Sequence, residues 1–246
     1  MYGFISYDQY HKELVLNETY ESYSELKQLT DDIYKKFSKN ILKRSTLYYI
    51  KDGVEDINKF NIIKDFINAK VGLLYNPDFT KIAGGGYFPP SDYEENMNFF
   101  NKTSDESNEL IREYPDGILV IGVLDKNYII HELQHGYDYI RSKTKMSSSK
   151  NMDKYNEKVN QVAQGKLKMP EKQFFDMYFR AQPEISALFT QAIDSINFDK
   201  KNSINVCYWQ FKRNFIGYNH LTPKIKKDLA RKFTQYYHKI REEQTT

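Results

Sequence analysis

Ile118-Leu119-Val120-Ile121-Gly122-Val123-Leu124, followed six residues later by His131-Glu132-Leu133-Gln134-His135, decides how this chain is read. The first seven residues form the longest apolar run in the sequence and follow the turn signal Asp116-Gly117. A run that is short, β-branched and bounded by turn residues predicts a buried strand. Asp125 is of the type that caps a helix N-terminus, and the spacing predicts a helix from there to about Arg141, with Gly136 inside it. A strand feeding directly into that helix would hold it rigidly. The alternative is an internal core strand with no part in any site.

On a helix, residues four apart lie about one turn apart on the same face. His131 and His135 can therefore offer an imidazole nitrogen each to one metal ion, and Glu132 lies close enough in angle to reach a water on that ion. On the helical wheel Asp138 joins the two histidines, while Ile129, Leu133, Tyr137 and Ile140 gather on the opposite side. The apolar stripe is expected to pack on the core and the His-His-Asp stripe to face a cleft. Asp138 is a candidate to orient a ligand imidazole through its second nitrogen. The competing reading is a surface helix with two solvated histidines, an ordinary glutamate and a solvated Asp138.

A catalytic zinc takes three protein ligands and a water. Of the five histidines, His11, His220 and His238 are isolated in sequence. Glu184 is the better candidate for the third ligand. Pro183 suits a first helical turn, Ala187 leaves little bulk one turn on, and Ile185, Leu188 and Phe189 make an apolar face. A carboxylate beside small residues can approach another helix closely. Alternatively, Glu184 only favours the positive end of its own helix. Position 138 is Asp and position 141 is Arg, which excludes the metzincin pattern of Gly and His there.

The segment HELQHGYD, with Tyr178-Phe179-Arg180-Ala181-Gln182-Pro183-Glu184-Ile185-Ser186-Ala187 following later, resembles the gluzincin arrangement of HExxH on one helix and Glu on the next. It is also similar to small zincin-like proteins encoded by bacteriophages, which pair an HELxHxxD helix with a later PxEIxA helix. The resemblance covers roughly residues 115 to 190. It implies a zinc-dependent metallopeptidase acting on a protein or peptide, with His131, His135 and Glu184 as ligands, Glu132 as general base, and Zn2+ as cofactor. A second implied reading is a structural or interaction protein, such as a virion component, on a zincin scaffold with a non-catalytic metal site. Tyr178, Tyr218 and His220 are candidates to help stabilise an oxyanion, and none is singled out.

A chain of 246 residues can bury a good core. Its hydrophobic share is 40%, compensated by 21 Tyr and 16 Phe, which bury much area each. The single Cys207 excludes an intramolecular disulfide framework and a cysteine-based zinc site. No N-terminal stretch reads as a secretion signal, and no run approaches the ~20 apolar residues that cross a bilayer. The expectation is a soluble protein of a reducing cytoplasm, or one packaged in a virion, with no membrane partner. Net charge is +3, but the region from Lys200 onward holds eleven Lys and Arg against three acidic residues. That balance is either a solvated helix face or a surface for an anionic partner such as nucleic acid.

The pattern as a whole predicts an α+β fold, mostly helical with a small sheet, and the resemblance implies that residues 1–199 form a zincin-like domain. Residues 200–246 are expected to form a basic helical extension on the same core. Helices are predicted near 21–38, 55–69, 151–164, 205–215 and 223–241, with one carrying Glu184. Further strands are predicted at 47–50, 71–75 and 82–88, Ser91 and Ser104 are candidate caps of short helices, and 146–150 reads as a loop. Gly84-Gly85-Gly86 reads first as a flexible turn and second as a wall of the active cleft.

Overall fold

The computed structural model describes residues 20–81, 83–100, 102–144, 170, 175, 179 and 182–245. These fall into two compact units, one spanning Ser24–Thr144 and the other holding the described residues before and after it. The fold class is α+β, helices dominating a four-stranded mixed sheet.

The first unit contains the sheet. Its elements are α1 (Tyr20–Ser38, all but the first turn), β1 (Leu47–Tyr49), α2 (Lys64–Asn68), β2 (Gly72–Tyr75), β3 (Gly85–Phe88), α3 (Tyr93–Asn96), α4 (Ser107–Glu113), β4 (Ile118–Ile121) and α5 (Lys126–Thr144). Strand order is β1-β2-β4-β3. The central pair β2 and β4 runs parallel, with Gly72 opposite Ile118, and the outer strands are antiparallel to their neighbours. Both central strands are buried at every position, which explains why they read as continuous apolar runs and not as alternating ones.

Each sheet face has its own cover. Leu74, Ile118 and Val120 point to a cluster with Phe79, Tyr93, Met97, Phe100, Leu110 and Tyr114. On the opposite face Tyr87 packs its ring on Tyr139 of α5 at 5.5 Å, and Leu73 approaches Ile33 of α1 beside Gly53. Lys126 and Asp31 join α5 to α1 at 2.6 Å. Helix α5 is thus laid across the buried sheet next to edge strand β3.

Several boundaries differ from the sequence expectation, each for a local reason. The apolar run ends as a strand at Ile121, because the N–H groups of Gly122 and Val123 both turn to the carbonyl of Gly84. The helix expected over 55–69 is reduced to α2 after a 3₁₀ turn at Ile57–Lys59. Asp56 caps that turn, and the Glu25 carboxylate accepts the N–H groups of Asn61, Ile62 and Ile63 at 2.9 Å each, fixing a loop. Neither Ser91 nor Ser104 caps a helix: α3 follows Asp92 and α4 follows Glu106, whose carboxylate instead takes the N–H of Thr103. The expected helix at 151–164 and loop at 146–150 lie outside the described residues.

The second unit comprises α6 (Gln182–Asp194), α7 (Ile204–Asn214) and α8 (Pro223–Glu243). Ser203 caps α7 and Thr222 caps α8, the latter with Pro223 just inside the helix. Phe211 gathers the core, with ring centroids 5.4 Å from Phe189 and 5.3 Å from Phe233.

Candidate metal centre

Helix α5 begins where the sequence places it. Asp125 accepts the N–H of Asn127 on its Oδ1 at 2.8 Å, and its carbonyl accepts the N–H of Ile129. The helix continues three residues beyond the expected end, to Thr144. Ile129, Leu133 and Tyr137 are buried, while His131, His135 and Asp138 are half-buried. Burial also extends to Ile130 and Gln134, so the helix is enclosed over a wider arc than one apolar stripe provides.

The two imidazoles converge. His131 Nε2 and His135 Nε2 are 3.1 Å apart, with ring centroids at 4.8 Å and planes nearly perpendicular. Two nitrogens each about 2.0–2.1 Å from a tetrahedral zinc ion stand about 3.3 Å from one another, so the pair is spaced to share one cation. Burial pushes the His135 imidazole down to about 4, which leaves it neutral near pH 7. Neutral imidazole is the form that binds a metal. By the spacing of the pair and by the protonation state of His135, these residues fit a shared metal cation.

Glu132, buried like its helix neighbours Ile130 and Leu133, reaches the sheet. Its side chain lies against Gly85 in edge strand β3, where a Cβ would stand 2.7 Å from the Glu132 Cγ. One turn earlier the ring of Tyr128 lies against Gly84. The glycine run is therefore the place where β3 and its approach pass close under α5, and Gly85 and Gly86 belong to the strand and not to a flexible turn. The sequence offers the glycines and the motif separately. Only the fold pairs Gly85 with Glu132.

Glu184 lies in the first turn of α6 in the second unit, 8% exposed, followed by buried Ile185, Ser186 and Ala187. Of the oxyanion candidates, Tyr218 shares a hydroxyl–hydroxyl hydrogen bond of 3.0 Å with Tyr208, and His220 stacks on Phe179 at 5.3 Å. Tyr178 lies outside the described residues.

Fold and site together define an α+β protein carrying a two-histidine centre on a helix beside a sheet edge. Comparison of the chain with protein-family models, with curated proteins and with solved structures finds no match.

Proposed function

We propose that this chain is a zinc-dependent metallopeptidase in which His131, His135 and Glu184 hold the ion and Glu132 is the general base. The observation that carries the reading is the 3.1 Å approach of two imidazole nitrogens on a helix that places a glutamate directly after the first. Glu184, buried in the first turn of α6, is the carboxylate that this reading adds to the imidazole pair. Two imidazoles and a carboxylate are a donor set used by catalytic zinc.

A bound zinc ion would supply Lewis acidity to an attacking water and to the scissile carbonyl. Glu132 accepts the proton of the attacking water as its oxygen bonds to the carbonyl carbon. Glu132 then delivers that proton to the nitrogen as the C–N bond breaks, releasing an amine and a carboxylic acid, which gives up its own proton to the amine or to solvent. Asp138 would act through its neighbour, orienting an imidazole on the same helix.

One observation favours a second reading. Glu132 is only 7% exposed, as suits a retained scaffold with a closed site, for example in a virion protein with a non-catalytic ion. Metal content and peptide turnover of the wild type and of Glu132→Gln separate the two. The peptidase reading expects the variant to keep its metal while kcat falls about 10²–10⁴-fold, the range for losing a general base. Metal bound by the wild type without turnover of any peptide favours the scaffold.

A further inference from the structure

Helix α7 buries one side and leaves the other bare. Cys207 and Phe211 point inward, while Val206, Trp209 and Arg213 fall on the opposite side at helical spacing. Trp209 is 55% exposed, Val206 43%, and Ile216, just past the helix end, 54%. Trp209 is the only tryptophan of the chain. An indole normally finds an apolar bed for its ring. Here the ring is exposed, with the guanidinium of Arg213 5.5 Å from its centroid.

Along its own segment of sequence the charge is of one sign. From Lys200 to Lys227 the sequence holds seven Lys and Arg and no Asp or Glu. Side-chain contacts tie this basic segment into one ledge. Lys212 lies over the Tyr208 ring at 5.1 Å, Tyr208 and Tyr218 meet at their hydroxyls, and Lys226 lies over the Tyr218 ring at 5.3 Å. The basic start of α8 is thereby connected to the basic end of α7. Asp228, the first acidic residue beyond the segment, is paired with Arg231 of its own helix.

We infer that the α7 face is a docking surface for an anionic lipid bilayer, with Trp209, Val206 and Ile216 entering the headgroup region and Lys212, Arg213 and Lys226 meeting lipid phosphates. Three features favour lipid over single-stranded nucleic acid. The apolar side chains are mostly aliphatic, which a bilayer interface accepts and a base stack does not use. The indole has the amphipathic shape that settles at headgroup depth. The basic rim around an apolar strip is the pattern of surface-bound helices. Such docking requires no spanning segment, and among the described residues no helix is long and apolar enough to cross a membrane.

Trp209 is its own probe. The full-length protein is mixed with vesicles of phosphatidylcholine alone and of phosphatidylcholine with phosphatidylglycerol, and emission is recorded alongside co-sedimentation. The expected result is a blue shift and sedimentation with the anionic vesicles only, both reversed by salt. Trp209→Ser and the pair Lys212→Gln, Arg213→Gln should stay folded by circular dichroism, because all three side chains are exposed. The charge variant should lower partitioning about thirtyfold, from about 1 kcal/mol per basic residue near an anionic surface. Trp209→Ser should lower sedimentation as well. An unshifted emission with no sedimentation overturns the inference, as does equal binding to neutral vesicles. Quenching by a single-stranded oligonucleotide with no response to vesicles assigns the face to nucleic acid and overturns it too.

Discussion

Glu132 and Gly85 lie so close that the glycine has no space for a side chain: a Cβ there would stand 2.7 Å from the glutamate Cγ. The candidate base is thus held between its own helix and the edge strand. Gly85→Val should displace Glu132 and strain the α5–β3 packing, costing about 1–3 kcal/mol, the usual range for overpacking. Urea unfolding measures that cost. If turnover falls by no more than the loss of folded protein explains, Gly85 does not help to place the carboxylate.

The anchoring of α5 separates core from surface. Leu133, between the two histidines, is fully buried, and Leu133→Ala should destabilise the protein by about 2–5 kcal/mol. Lys126→Ala removes the half-exposed pair with Asp31 and the contact of its ammonium with the Tyr34 ring, and should cost less than about 2 kcal/mol. Comparable unfolding midpoints for the two variants would show that the helix is not held by its apolar side.

The Glu25 carboxylate replaces helix in the 57–63 segment by accepting three successive N–H groups. Glu25→Ala leaves those donors to water, and the expected loss is about 1–3 kcal/mol, given that hydrogen bonds to a charged group are worth more than neutral ones. Denaturant titration reads it directly. An unchanged midpoint would mean that the loop is fixed by other contacts.

How far the chain could be read without coordinates follows from the same residues. The strand–helix order around Ile118 and His131 was legible because a buried apolar run, an Asp cap and a helical apolar spacing agree locally. The helices expected near 205–215 and 223–241 have observed limits within two residues of those ranges. The loop over 57–63 was not legible, because the carboxylate that stabilises it stands 36 to 38 positions earlier in sequence. Nor did the glycine run announce its partner. A close approach to Glu132 depends on the antiparallel pairing of β3 with β4, a long-range event.

His135 gives the metal-free protein a pH signature. Its folded value of about 4 lies below the ordinary histidine value of about 6.5, because burial disfavours the charged ring. The unfolded chain therefore binds a proton more readily, and the associated stability is complete above about pH 6.5 and lost as pH falls toward 4. Thermal unfolding of the stripped protein across this window should show a falling Tm, and His135→Gln should flatten the slope. An identical slope in the variant would remove His135 as its source.

The central claim is that the imidazole pair holds a metal ion, and the metal-to-protein ratio of the purified chain tests it most directly. Elemental mass spectrometry should find about one zinc per wild-type chain, and a ratio near zero in His131→Ala, His135→Ala and Glu184→Ala variants that remain folded. A folded wild type that takes up no zinc on addition, or zinc retained in full when either histidine is removed, would contradict it.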